Sequence, residues 1–144
     1  MLFFYTKKLE HFTTPTKIIE PATLCYSGYT DAQAKAKQSE IAEALSDNSA
    51  TTDSIMAELV NATYPEVWKV VAQSDKSRET ALLAVAKKCA TLCYSGYTVA
   101  QDEAKQLEIA KALSENSATT DAVMAELVNS KFSTVVSFAH KWLE

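Results

Sequence analysis

Few residues in this chain could do chemistry. The only histidines are His11 and His140, and the cysteines are Cys25, Cys89 and Cys93. His140 has only Ser137 and Glu144 at helical spacing, so no nucleophile–base–orienter set assembles around it. Cys89 and Cys93 stand four residues apart, a spacing that on one helix aims both sulfurs the same way. Two ligands do not make a zinc site, and these thiols are expected to pack as small hydrophobes. Glu40, Glu43 and Asp47 fall on one helical strip, but the matching residues later in the chain are Glu108, Lys111 and Glu115, so the strip reads as a solvated face. Gly28 and Gly96 are the only glycines, which excludes a Gly-rich phosphate loop. The expectation is a protein that is not an enzyme, with no cofactor and no metal.

These residues are organised by a duplication. Residues 22–61 and 90–129 align without a gap at an offset of 68, and 32 of the 40 positions are identical. Repeats of this kind must be read before any local pattern. The period is twice 34, the length of a two-helix tetratricopeptide unit. No self-similarity appears at 34, however, and the residues around Gly28 and Gly96 do not fall in that register, so the two-helix reading is set aside.

Within one unit the punctuation is helical. Gly28 and Gly96 suit a helix C-terminus that needs a left-handed residue. Thr30 with Gln33, and Thr98 with Gln101, form capping boxes that open a second helix running to about Asp47 and Glu115. Tyr-Ser-Gly-Tyr-Thr is therefore expected to be a helix–turn–helix corner, with the preceding helix of the second unit running through Cys89 and Cys93 to Gly96. In the first unit that helix carries Pro15 and Pro21 and is expected to be short or kinked. A third helix carries Ile55, Met56, Leu59 and Val60, matched by Val123, Met124, Leu127 and Val128. A fourth starts at Pro65 with Tyr64, Val67, Trp68 and Val71 on one face. Its partner carries Phe132, Val135, Val136 and Ala139.

The fold class that follows is all-α: an internally duplicated bundle of two units, 1–76 and 77–144, each of three to four helices, sharing one body with pseudo-two-fold symmetry. Two glycines and three prolines in 144 residues argue against turn-rich β architectures. No apolar run approaches the roughly 20 residues of a membrane helix. The odd cysteine count favours free thiols in a reducing cytoplasm.

Two functional readings survive. The first is a protein-binding module, an adaptor, inhibitor or mobile-element accessory factor, whose two equivalent corners offer Tyr26 with Tyr29 and Tyr94 with Tyr97 as anchors. Leu107, where the first unit has Ser39, extends the line Ala100–Ala104–Leu107 and is expected to be the more buried of the two. The alternative is a tandem helix-turn-helix nucleic-acid reader with recognition helices beginning near Thr51 and Thr52. Against it, the formal net charge is −4 and the candidate helix offers no Arg or Lys to phosphates or guanine.

Overall fold

The computed structural model describes residues 30–144, and among these it is helical throughout. The helices are α1 (Asp31–Asp47), α2 (Asp53–Leu59), α3 (Pro65–Gln73), α4 (Glu79–Ala90), α5 (Val99–Glu115), α6 (Asp121–Glu126) and α7 (Ser133–Leu143), with a 3-10 turn at Leu127–Asn129. His11, Cys25, Tyr26, Gly28, Tyr29 and the proline-bearing first helix lie outside the described residues.

Local rules explain most helix starts. Thr30 and Thr98 accept from the amides of Gln33 and Gln101 at 3.2 Å, and the glutamine side chains accept back from the threonine amides at 2.9 and 2.8 Å. Pro65 opens α3 at a position where its missing N–H costs nothing. Thr52 caps α2 by accepting from Ile55 N. The apolar stripes are buried as their spacing requires: Ile55, Met56, Leu59 and Val60 on α2, and Val67, Trp68 and Val71 on α3.

Polar contacts fix the directions. Lys35 pairs with Glu66 and Ser46 donates to Ser74, so α1 and α3 run parallel. Lys105 pairs with Glu66, Lys69 with Glu108, and the Asn116 amide donates to the carbonyls of Ala72 and Ser74, so α3 and α5 are parallel too. Asp53, at the start of α2, accepts from the amides of Arg78 and Ala81 at the start of α4. Thr120, the N-cap of α6, donates to Glu79. Hence α1, α3, α5 and α7 pack in order as one layer, and α2, α4 and α6 form the second layer. One continuous core of Ile41, Leu45, Leu82, Val85, Ile109 and Leu113 lies between the layers and crosses the 76/77 boundary.

This arrangement corrects two expectations. The helices of the first layer begin at residues 31, 65, 99 and 133, a constant step of 34. The step set aside on sequence grounds is thus the spacing of the helices. Its sequence trace is absent because α1 and α2 have 17 and 7 residues while α3 and α4 have 9 and 12. The same step is divided differently, so residues 34 apart occupy unlike environments. Second, the units meet head to tail. α3 packs along α5, whereas a two-fold relation would equally pack α1 along α7, and no comparable contact is formed. The duplication builds a stack of helix pairs, in which each interface joins unlike faces.

The outer edge of α7 bears this out. Pro65, Trp68 and Ala72 are buried on α3, and Lys69 reaches α5. Their equivalents on α7 are Ser133, Val136, His140 and Ser137, of which only Val136 is even half-buried. Divergence is greatest where one copy is interior to the stack and the other meets solvent.

Candidate functional site

The described corner spans residues 91–98 and differs from expectation. α4 ends at Ala90, six residues before Gly96. The Thr91 hydroxyl donates to the carbonyls of Lys87 and Lys88, satisfying the last turn from a side chain. Beyond it the backbone is drawn onto α5. Gln106 donates to the carbonyl of Leu92 at 3.2 Å and accepts from Ser130, while the buried Asp102 carboxylate accepts from Tyr94 N at 3.2 Å. Gly96 does not adopt the left-handed conformation. A side chain there would instead place its Cβ 3.0 Å from Tyr94 Cε1, a tight contact that the ring would have to relieve by a small shift.

Ending α4 early separates the two cysteines. Cys89 is buried in the core, its thiol donates to the carbonyl of Gln106, and burial pushes its pKa up to about 12. Cys93 lies outside the helix and is exposed. Among the described residues no group of three or more His, Cys, Asp or Glu is placed to hold a metal ion.

The tyrosines meet at the junction of the two units. Tyr64, the buried N-cap of α3, lies edge-on to Tyr94 at 6.1 Å, and Tyr94 lies edge-on to Tyr97 at 4.9 Å. Tyr94 and Tyr97 are half-buried, whereas Cys93, Ser95, Gly96 and Thr98 around them are exposed. The Tyr97 hydroxyl donates to Glu66 Oε1 at 2.8 Å. The same oxygen lies 3.4 Å from Lys105 Nζ and 3.6 Å from Lys35 Nζ.

Each titration follows from this packing. Desolvation alone would raise the Glu66 pKa, but the Tyr97 hydrogen bond, a backbone hydrogen bond and the two lysines outweigh it and hold the carboxyl below its ordinary value. Burial first, and then Glu66, hold the Tyr97 phenol well above the ordinary tyrosine range. Glu108, hydrogen-bonded by Lys69 and then Lys105, is also held low. The result is a four-element polar seam that joins α1, α3, α5 and the corner.

The sequence singled out Tyr94 and Tyr97 and missed Glu66 and Asp102. A signal for both was available. Asp102 replaces Ala34 within an otherwise near-identical repeat, and Glu66 is matched by Thr134, so both acids mark the second corner alone.

Leu107 and Ser39 are both half-buried. Leu107 packs at the margin of the core, and Ala100 and Ala104 are exposed, so that apolar line runs along the solvent side of α5. Val99 at its start is 66% exposed. A groove of about 440 Å³ between α2 and α4 is lined by Val60, Ala84, Lys87 and Lys88, and two smaller ones flank Gln73 beside Glu43, Asp47 and Glu115. No helix among the described residues is long and apolar enough to cross a membrane. Comparison with protein-family models, curated proteins and solved structures finds no match to this chain.

Proposed function

We propose that the protein is a non-enzymatic, cytoplasmic protein-binding module, an adaptor or inhibitor that recognises a partner through the Tyr94–Tyr97 corner, with Tyr26 and Tyr29 its counterparts in the duplicated first unit. The observation that carries this reading is the corner itself. Two tyrosine rings are held edge-to-face in one orientation, half-buried, in a turn where Cys93, Ser95, Gly96 and Thr98 are exposed. Rings already ordered before binding lose little further entropy when a partner covers them, and tyrosine is enriched at recognition surfaces for that reason. Stacked helix pairs commonly serve as binding scaffolds, which supports the class by architecture alone.

The tandem helix-turn-helix reading has less support. At the start of α2, Thr51 is buried and Asp53 is engaged by backbone amides at the start of α4, and the exposed residues there, Thr52, Ser54 and Glu58, bring no positive charge. The test is affinity capture from native extract with wild type, Tyr94→Ala and Tyr97→Ala. A protein retained by the wild type and lost in one variant of unchanged melting temperature is the expected result. Recovery of nucleic acid, with retention falling steeply as salt rises, would favour the other reading.

A further inference from the structure

We infer that Glu66 is the positioning residue of the Tyr94–Tyr97 corner: its carboxylate, fixed between Lys35 of α1 and Lys105 of α5, holds the Tyr97 hydroxyl and so sets how the turn is presented. The inference rests on the corner being the recognition surface.

Three observations carry it. Side chains from outside the turn anchor it: Gln106 donates to the carbonyl of Leu92, and two carboxylates take the tyrosines. Asp102 takes the amide of Tyr94, and Glu66 takes the hydroxyl of Tyr97. Asp102 sits on α5, the helix the corner leads into, so it fixes the turn only within its own pair. Glu66 sits on α3, in the preceding pair, and is the anchor that ties the corner to the rest of the stack. Its Oε1, which takes the Tyr97 hydroxyl, is also approached from two other helices, while Oε2 is buried without a hydrogen-bond partner among the described residues. Lys35 approaches from α1 and Lys105 from α5. Glu108 on α5 is occupied by Lys69 of α3 and by Lys105, which keeps the second carboxylate from competing for the site. A hydroxyl donating to a carboxylate is a charge-assisted bond, stronger and more directional than a neutral one. Tyr97 in turn supports Tyr94, whose ring lies close over Gly96.

The experiment is amide hydrogen exchange on the full chain, comparing wild type with Glu66→Leu, Glu66→Gln and Tyr97→Phe. The reporters are the amides of Tyr94 and Tyr97, with Ile109 and Leu113 in α5 as the core reference. Loss of the anchor is expected to speed exchange at the two corner amides on the order of tenfold, the factor one charge-assisted hydrogen bond supplies, with the α5 reference unchanged. Glu66→Leu combined with Tyr97→Phe should add nothing beyond either alone. Glu66→Gln, which keeps an acceptor but no charge, should lie between wild type and Glu66→Leu. In ultraviolet titration it should also move one tyrosine ionisation to lower pH, read together with an unchanged α5 exchange rate, because loss of burial would lower it too. Corner exchange that stays at the wild-type rate, or that rises only in step with α5, overturns the inference. Should Glu66→Leu fail to fold, Glu66→Gln and Tyr97→Phe make the same comparison. Exchange reads the geometry and capture reads recognition, so the two can fail separately. A corner loosened by Glu66→Leu in a protein that captures nothing overturns the recognition reading and leaves Glu66 as an anchor of the turn alone.

Discussion

Asp53 offers a quantitative test of the stack, because the duplication supplies its own control. Its carboxylate accepts from Arg78 N at 2.6 Å and Ala81 N at 3.1 Å, capping α4 from the neighbouring layer helix. α4 has no cap of its own, since Arg78 at its N-cap position makes no side-chain hydrogen bond there. Asp53→Ala therefore orphans two first-turn donors of a helix that packs against both units. Loss of an N-cap costs about 0.5–2 kcal/mol. Two bonds to a charged acceptor, with Ala81 buried, set the expectation at the upper end, about 2 kcal/mol. For a chain of this size that corresponds to a fall in melting temperature of about 6 °C. Asp121 is the repeat equivalent, in the first turn of α6 and exposed, and it offers little beyond a favourable term with the helix dipole. Asp121→Ala should cost about 0.5 kcal/mol. Urea unfolding of both variants, with slopes matching wild type, measures the difference. Equal losses would show that α4 is not capped across the layer and would refute the reasoning.

Other outcomes are expected from single contacts. In a Cys25→Ser background, Cys93 should react with a thiol reagent in the native state while Cys89, buried and protonated, reacts only on unfolding; equal native rates would return Cys93 to the core. Trp68→Phe removes the donor to the carbonyl of Ala62, a buried bond of 2.9 Å, and should cost about 2 kcal/mol in denaturant unfolding. Acid should weaken the seam. Glu66 and Glu108 have folded pKa values below the ordinary one, so the unfolded state takes up protons first as pH falls. Their contribution is complete above the ordinary carboxylate range and lost as pH drops through the lowered values. Glu66→Gln should therefore flatten the fall in melting temperature below about pH 4.5, and an unchanged acid limb would count against the ion pairs.

What could be read from sequence was local. Thr-x-x-Gln, Pro65 and the apolar stripes are settled within one or two turns of chain; they mark α1 and α5 at both ends and the start of α3. The end of α4 was not legible because it is decided by distant side chains. Gln106 and Asp102 draw residues 92–94 off the helix, and nothing within residues 79–97 signals that pull. The seam was half legible. Tyr94 and Tyr97 stood out as a repeated pair, but their partner Glu66 lies 31 residues from Tyr97 in an unrepeated stretch. The cross-layer role of Asp53 was hidden by its ordinary place in a helix's first turn.

The decay of the repeat has a physical cause that bears on function. A head-to-tail stack gives each copy one face turned to its neighbour and one turned away, so identical sequences cannot suit both copies everywhere. Where the environments match, at the capping boxes and the stripes of α1, α2, α5 and α6, identity is high. Where they do not, the copies part: Trp68 faces Val136, Lys69 faces Ser137 and Ala72 faces His140, interior contacts exchanged for a solvent edge. Glu66 and Asp102 belong to this same asymmetric class, yet neither serves the core. One ties the corner across the junction of the two units, and the other ties it to the helix that follows. Packing accounts for the apolar exchanges, whereas Asp102 holds the exposed turn and Glu66 holds it while also pairing Lys35 and Lys105 across three helices.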